Sequence, residues 1–166
     1  MAQVNPIPKG MNTLTPNLVL RNCAKAIEFY KQALGAQEVM RFPSPDGKTI
    51  WHAELRIGDS IFYMSDEMPG MGCAAPTAEA PAPVNLWLHV EDCDGAFRRA
   101  TQAGGKATMP PADMFWGDRC ATFNDPFGYT WSFSTHQKDM TAEEIRRGGE
   151  EFARTMREQH GQHGQR

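Results

Sequence analysis

The sequence predicts an α+β fold, in which two tandem βαβββ modules form a curved mixed sheet that bears a cleft, followed by a C-terminal helix. Signals for strand, helix and three strands occur twice in the same order. A constant shift of seventy positions also pairs identical residues of the two copies: Cys23 with Cys93, Ala26 with Ala96, Gln32 with Gln102, Ala33 with Ala103, Gly35 with Gly105 and Gly58 with Gly128. We interpret the chain as an internal duplication; the alternative is two unrelated α+β halves.

Bulk composition excludes several classes of function. A chain of 166 residues buries a real core in one compact domain or in two small modules. A net charge of −3 gives no reason to expect nucleic acid or an anionic membrane surface. No apolar run reaches the roughly 20 residues of a membrane helix, so we expect a cytoplasmic protein. The four cysteines lack CxxC spacing, which favours reduced thiols over disulfides or structural zinc.

The first module follows a loose tail over residues 1–11 and is predicted over residues 12–67. Its first strand, 14–20, contains Pro16, which lacks a backbone N–H, so we expect this strand to lie at an edge or to be broken near its start. Asn22 is typical of a helix N-cap and Gly35 of a helix end. Three short strands follow, over residues 38–42, 50–57 and 60–65.

A linker rich in proline and alanine, residues 68–83, separates the modules. The second module, 84–136, repeats the plan with Asp92 as the N-cap and Gly104-Gly105 as the helix end. Its predicted strands span residues 84–90, 106–109, 119–124 and 129–134. A capping box, Thr141-Ala-Glu-Glu144, then predicts a helix over about residues 142–157, within a segment 137–158. This helix is too thinly apolar to stand alone, so we expect it to pack on the body or on a second subunit, and we expect residues 159–166 to be disordered.

The last hairpin carries the most specific motifs, Trp116-Gly-Asp-Arg119 and Asp125-Pro-Phe-Gly128. Together with the two βαβββ modules and Phe29-Tyr30, they resemble the vicinal oxygen chelate superfamily, which includes glyoxalase I, extradiol dioxygenases, and fosfomycin and bleomycin resistance proteins. The joined motifs look more narrowly like its PhnB-like branch. The resemblance covers about residues 12–136 and implies a homodimer in which two chains complete the clefts.

The resemblance also implies where a metal site would lie. Metal-using members of the superfamily hold a divalent ion with His, Gln or Glu side chains from both modules. The corresponding positions in this sequence are Thr15, Phe62, Asn85 and Ser132. None of them offers a carboxylate or an imidazole, so the usual metal site is expected to be missing. We therefore predict no cofactor and no metal ligands; a divalent metal belongs to the alternative below.

Alternation along the strands predicts which other side chains line the cleft, because successive side chains point to opposite faces. We expect the ligand-binding set to be Asn85, Trp87 and His89 on one strand, His52 and Glu54 on another, and Trp116, Arg119 and Ser132 on the hairpin. Three alternatives stay open: Trp87 packs in a wall or a dimer, Asp118 and Arg119 form a structural salt bridge, and His52, Glu54 and His89 form a metal or acid–base site.

Aromatic side chains with a few polar groups suit a flat, partly polar organic ligand. The favoured function is therefore binding of a small molecule without a metal, as in the resistance proteins that sequester a drug. The alternative is a metal-dependent lyase, isomerase or dioxygenase of the same superfamily. A purely structural or interaction role comes third and predicts no sizeable cleft.

Overall fold

The computed structural model describes residues 4–68, 70–77 and 79–163, the last five without their side chains. The predicted order of elements is confirmed. The first module contains β1 (Asn17–Leu20), α1 (Cys23–Leu34), β2 (Gln37–Pro43), β3 (Ile50–Ile57) and β4 (Ser60–Asp66). The second contains β5 (Asn85–His89), α2 (Cys93–Gln102), β6 (Lys106–Asp113), β7 (Asp118–Asn124) and β8 (Thr130–His136), and α3 (Ala142–His163) follows.

Each module forms a four-stranded mixed sheet with the same topology. The strand orders are β1-β4-β3-β2 and β5-β8-β7-β6, and in each sheet only the first pair, β1 with β4 and β5 with β8, is parallel. β1 lies at an edge, as Pro16 predicted, and begins directly after that proline. β6 runs four residues further than predicted, because it too is an edge strand and its two prolines fall where the register with β7 shifts between Met109 and Ala112.

Both helices of the modules begin at the predicted caps. Asn22 Oδ1 accepts a hydrogen bond from the backbone N–H of Lys25 at 3.0 Å, and Asp92 Oδ1 accepts one from Gly95 at 2.9 Å. The last strand of each module supplies a second acceptor. Asp66 binds the N–H of Cys23, and Thr135 binds the N–H of Cys93. The repeat therefore extends from the sequence to the way in which each helix is fastened to its sheet.

One hydrophobic core joins the two modules. It lies between the sheet faces that carry α1 and α2, which we call the helix faces, and the two helices contact each other. Phe62 of the first sheet and Trp131 of the second meet there, with ring centroids 6.0 Å apart. The opposite sheet faces, which we call the outer faces, therefore point away from the shared core.

The C-terminal helix α3 packs on the body through the turn before β7. The capping box is present, since Thr141 N–H donates to Glu144 Oε2 at 2.8 Å and Glu144 N–H donates to Thr141 Oγ1 at 3.2 Å. Gly148 lies against Phe115, and the rings of Phe115 and Phe152 lie 5.8 Å apart. The helix is described as far as His163, beyond its predicted end at about residue 157. Disorder of residues 159–166 stays a prediction, and residues 164–166 lie outside the described residues. None of the described helices combines the length and apolarity needed to cross a membrane.

Candidate functional site

Asn85, Thr122 and Ser132 form a hydrogen-bonded triad on the outer face of the second sheet. Asn85 Nδ2 donates to Ser132 Oγ at 3.0 Å, and the hydroxyls of Thr122 and Ser132 lie 2.8 Å apart. Three adjacent strands supply the three residues, because β8 lies between β5 and β7. Thr122 was not among the predicted site residues. Alternation along Arg119 to Asn124 was the signal that could have found it.

The serines of β8 form the floor of this face. Ser132 and Ser134 are fully buried although they lie opposite the core, while Asn85, Trp87 and His89 of the neighbouring edge strand are exposed. A ligand on this face therefore meets the side chains of β5 first. Ser132, expected to contact the ligand, instead holds Asn85.

The second polar cluster is centred on Asp118. Its carboxylate accepts hydrogen bonds from Trp116 Nε1 at 3.3 Å, Ser134 Oγ at 2.9 Å and His136 Nδ1 at 2.8 Å. These bonds, that of His136 first, lower the pKa of Asp118. The other ring nitrogen of His136 lies 3.0 Å from Asp139 Oδ1, and its bonds to Asp118 and Asp139 raise the pKa of the imidazole. Trp116 thus lies at the margin of the outer face and is fixed there by Asp118.

Arg119 lies on the helix face and not with the other predicted site residues. Its neighbours in alternation, Ala121 and Phe123, are buried in the core. The guanidinium forms a two-point ion pair with Asp94 of α2, including Nη2 to Oδ1 at 2.9 Å, and donates from Nη1 to Asp113 Oδ1 at 2.8 Å. The alternative of a salt bridge between Asp118 and Arg119 is therefore wrong, because Arg119 forms its ion pairs with Asp94 and Asp113 and Asp118 pairs with His136.

His52 and Glu54 lie together on the outer face of the first sheet. His52 Nε2 is 3.4 Å from Glu54 Oε1, and its ring packs edge-on against Tyr63 with centroids 4.8 Å apart. His89 lies on the other sheet. Within the described ranges, no three His, Cys, Asp or Glu side chains are grouped so that they could hold a metal ion. The alternative site from His52, Glu54 and His89 is therefore not assembled in one chain.

The assignment of Phe62 to the fourth metal-ligand position is wrong. Leu18 pairs with Met64, whereas Leu88, seventy residues later, pairs with Phe133, so the shift has fallen to sixty-nine in the last strand. One residue of register exchanges the faces of a strand. Phe62 is buried on the helix face, and Tyr63 is the counterpart of Ser132.

The donor set at the four positions is thus Thr15, Tyr63, Asn85 and Ser132. These are hydroxyl and amide groups, and two of them are already hydrogen-bonded to each other. Divalent transition metals prefer imidazole, thiolate or carboxylate ligands. The residues present do not fit the metal site of the vicinal oxygen chelate pattern.

A hollow of about 240 Å³, here called the intermodule hollow, opens between the two modules beside β5. Its lining is almost entirely apolar: Leu14, Pro16, Ile57, Ile61, Phe62, Leu86, Trp87, Leu88 and Trp131, with Asn12 and Ser60. Trp87 is 45% exposed and Leu14 is 82% exposed. An apolar lining with exposed, large side chains is typical of a site for an organic molecule.

The Asp125-Pro-Phe-Gly motif fastens the second module to the first, a role that turn chemistry alone did not predict. Buried Asp125 accepts hydrogen bonds from Tyr30 Oη at 2.6 Å, Trp131 Nε1 at 2.9 Å and the backbone N–H groups of Phe127 and Tyr129. The hydroxyl of Tyr129 in turn accepts from Val19 N at 2.9 Å and donates to Val19 O at 3.0 Å. Both contacts hold the two modules in a fixed relation beside the hollow.

Comparison with known proteins agrees with this architecture. The family model described as the Glyoxalase/Bleomycin resistance protein/Dioxygenase superfamily matches residues 11–133. The chain is 40% identical over 136 residues to the protein Rv0887c of Mycobacterium tuberculosis, a match that covers 80% of this chain and 79% of that protein. The crystal structure of TioX from Micromonospora sp. ML1 superposes with a TM-score of 0.61 at 26% identity, over 75% of this chain and 98% of TioX. The PhnB protein of Bacillus cereus, at 16% identity and a TM-score of 0.56 over 75% of this chain and 99% of that chain, shares the fold.

Proposed function

This chain belongs to the glyoxalase/bleomycin resistance protein/dioxygenase superfamily, and from that premise we propose that it binds a small organic ligand without a metal ion. The observation that carries the proposal is the intermodule hollow with Trp87 on its wall. Burial of apolar ligand surface contributes about 25 cal/mol for each Å² removed from water, so this lining favours an apolar or aromatic molecule. The ligand is expected to lie against the indole of Trp87.

The polar groups on the outer face of the second sheet, which Trp87 shares, support binding without a metal. The family positions for metal ligands carry neutral side chains, and the triad of Asn85, Thr122 and Ser132 satisfies its buried hydroxyls internally. Such a network orients a ligand by hydrogen bonds at little cost in desolvation.

The experiment is metal analysis together with native mass spectrometry of protein purified without chelators. We expect substoichiometric zinc, nickel, manganese and iron, and a small organic molecule that remains bound in the native spectrum or is exchanged for added aromatic compounds. A stoichiometric transition metal that His52→Ala or Glu54→Ala removes would overturn the proposal in favour of the metal-dependent enzyme.

A second proposal concerns assembly. The two modules share one core through their helix faces, and outer-face residues such as His52, Asn85 and His89 are not part of that core. A homodimer that places the His52–Glu54 face of one chain opposite the Asn85–His89 face of its partner would complete two clefts. Light scattering coupled to size exclusion tests this, and a monomer at micromolar concentration would contradict it.

Two further assignments are part of the proposal. The Trp116-Gly-Asp-Arg119 and Asp125-Pro-Phe-Gly128 motifs support membership of the PhnB-like branch. The cytoplasmic location rests on the sequence, and fractionation of cells that express a tagged chain tests it.

A further inference from the structure

Asn85 is the exposed member of the triad, and only one end of its amide is occupied. Nδ2 faces the buried hydroxyl of Ser132, which is held in turn by Thr122. Within the part of the chain that the structure describes, no group donates to Asn85 Oδ1. A side chain fixed at one end by a fully buried serine presents its other end in a defined direction, and here that end is a hydrogen-bond acceptor.

Trp87 lies two residues further along the same edge strand. Residues i and i+2 of a strand share a face and lie roughly 7 Å apart. Trp87 is among the residues that line the intermodule hollow, and β5 is an edge strand of its sheet. An aromatic surface and a fixed acceptor are therefore presented together, at about the length of a fused two-ring molecule.

From this juxtaposition we propose that Asn85 makes the site selective for aromatic ligands that carry a hydroxyl or N–H donor. The inference rests on the proposed binding function and names the ligand class for that same site. The ring of the ligand packs on Trp87, and its donor bonds to Asn85 Oδ1. Ser132 and Thr122 are positioning residues, because they hold the amide without contacting the ligand.

Two matched probes test the proposal: 2-naphthol, which carries an O–H donor, and 2-methoxynaphthalene, which has a similar ring surface and no donor. Their dissociation constants are measured by tryptophan fluorescence quenching and calorimetry at pH 7. The wild type is expected to bind 2-naphthol about five to ten times more tightly, the value of one net hydrogen bond. Asn85→Ala removes this preference and leaves 2-methoxynaphthalene affinity unchanged.

Two variants distinguish ligand selectivity that depends on the Asn85 acceptor from an effect of misfolding. Asn85→Asp keeps an outward acceptor oxygen and is expected to retain the preference for 2-naphthol. Ser132→Ala removes the hydroxyl that holds the Asn85 amide, and it is expected to reduce the preference for 2-naphthol over 2-methoxynaphthalene. Asn124→Ala, an exposed asparagine on the same sheet, is the matched control and leaves the ratio of affinities unchanged. Melting temperatures establish that each variant is folded.

The outcomes distinguish this inference from the proposed function. If both probes bind equally well, or if Asn85→Ala keeps the ratio, the selectivity is overturned. In that case the proposed binding function is still supported if Trp87→Ala lowers the affinity for both probes. If neither probe binds the wild type, both the selectivity and the aromatic binding function are contradicted.

Discussion

The hydroxyl of Tyr30, on the helix of the first module, donates a 2.6 Å hydrogen bond to the buried carboxylate of Asp125, in the last turn of the second module. Burial and the nearby carboxylate raise the pKa of Tyr30 well above its usual range, so the phenol stays protonated and remains a donor. Trp131 donates to the same carboxylate oxygen. One carboxylate therefore joins the modules, and it lies beneath the wall of the intermodule hollow to which Trp131 contributes.

Replacing Asp125 tests this connection. Asp125→Ala leaves the Tyr30 hydroxyl, the Trp131 indole N–H and two backbone N–H groups without their acceptor, so we expect a loss of about 3 kcal/mol or more in the free energy of unfolding. Tyr30→Phe removes a single donor and costs about 1–2 kcal/mol. Urea denaturation measures both. Asp46→Ala, in an exposed turn of the first module, is the control and should change stability much less; equal losses would contradict the role of Asp125.

Trp87 is expected to act in binding and not in folding. Because its side chain is 45% exposed, Trp87→Ala should leave the melting temperature nearly unchanged. Loss of an aromatic anchor weakens binding of 2-naphthol by about 30-fold or more. Trp51→Ala is a matched control, since Trp51 is also 45% exposed and lies outside the hollow. A large fall in melting temperature for Trp87→Ala would show that this residue belongs to the core.

Arg119 is expected to act in stability and not in binding. Lysine keeps the charge but has no planar fork, so Arg119→Lys loses the two-point contact with Asp94. We expect a lower melting temperature and unchanged dissociation constants for both naphthalene probes. Asp94→Asn should produce the same pair of results. If a fully folded Arg119→Lys variant bound the probes more weakly, Arg119 would belong to the ligand-binding site and this prediction would be wrong.

Stability should depend on pH through His136. Each of its ring nitrogens faces a carboxylate oxygen, of Asp118 and of Asp139, and both partners only accept, so the imidazolium alone satisfies both contacts. The folded pKa is raised above the usual 6.5, so this stabilisation is complete below pH 6.5 and is lost as pH rises through the folded pKa.

Melting temperatures of the wild type and His136→Gln, measured from pH 5 to pH 9, test this dependence. The difference should be largest at the acidic end and shrink as pH rises. Asp139→Asn removes one carboxylate and should reduce the difference. Lys138 and Glu144, which form an ion pair beside this segment, are unchanged in all variants. A difference that grows with pH would contradict the assignment.

Gly117 is required by the approach of its backbone to Lys138. Its φ is +97°, and a Cβ atom there would lie 2.1 Å from the carbonyl oxygen of Lys138. Gly117→Ala combines left-handed strain with this clash, and we expect a loss of about 2–3 kcal/mol in unfolding free energy. Gly35→Ala is the control, because Gly35 also has a positive φ but an added Cβ meets nothing within 4 Å. Equal losses in the two variants would show that strain alone matters.

The sequence by itself determined the repeated order of elements, the helix caps at Asn22 and Asp92, and the edge position of β1. These features depend on local chemistry: alternation along a strand, side-chain acceptors before a helix, and a proline without an N–H. It also determined the kinds of side chain at three of the four positions that the family resemblance assigns to metal ligands, namely Thr15, Asn85 and Ser132.

Only the tertiary structure decided which face each side chain occupies and which partner it meets. The seventy-residue shift became sixty-nine within the last strand, which moved Phe62 into the core and put Tyr63 in its place. Arg119 forms an ion pair with Asp94 on α2, and Asp125 accepts a hydrogen bond from Tyr30 of the other module. A change of one residue in register reverses a whole strand, and residues such as Tyr30 and Asp125 meet only when two modules pack, so neither result is encoded in local patterns.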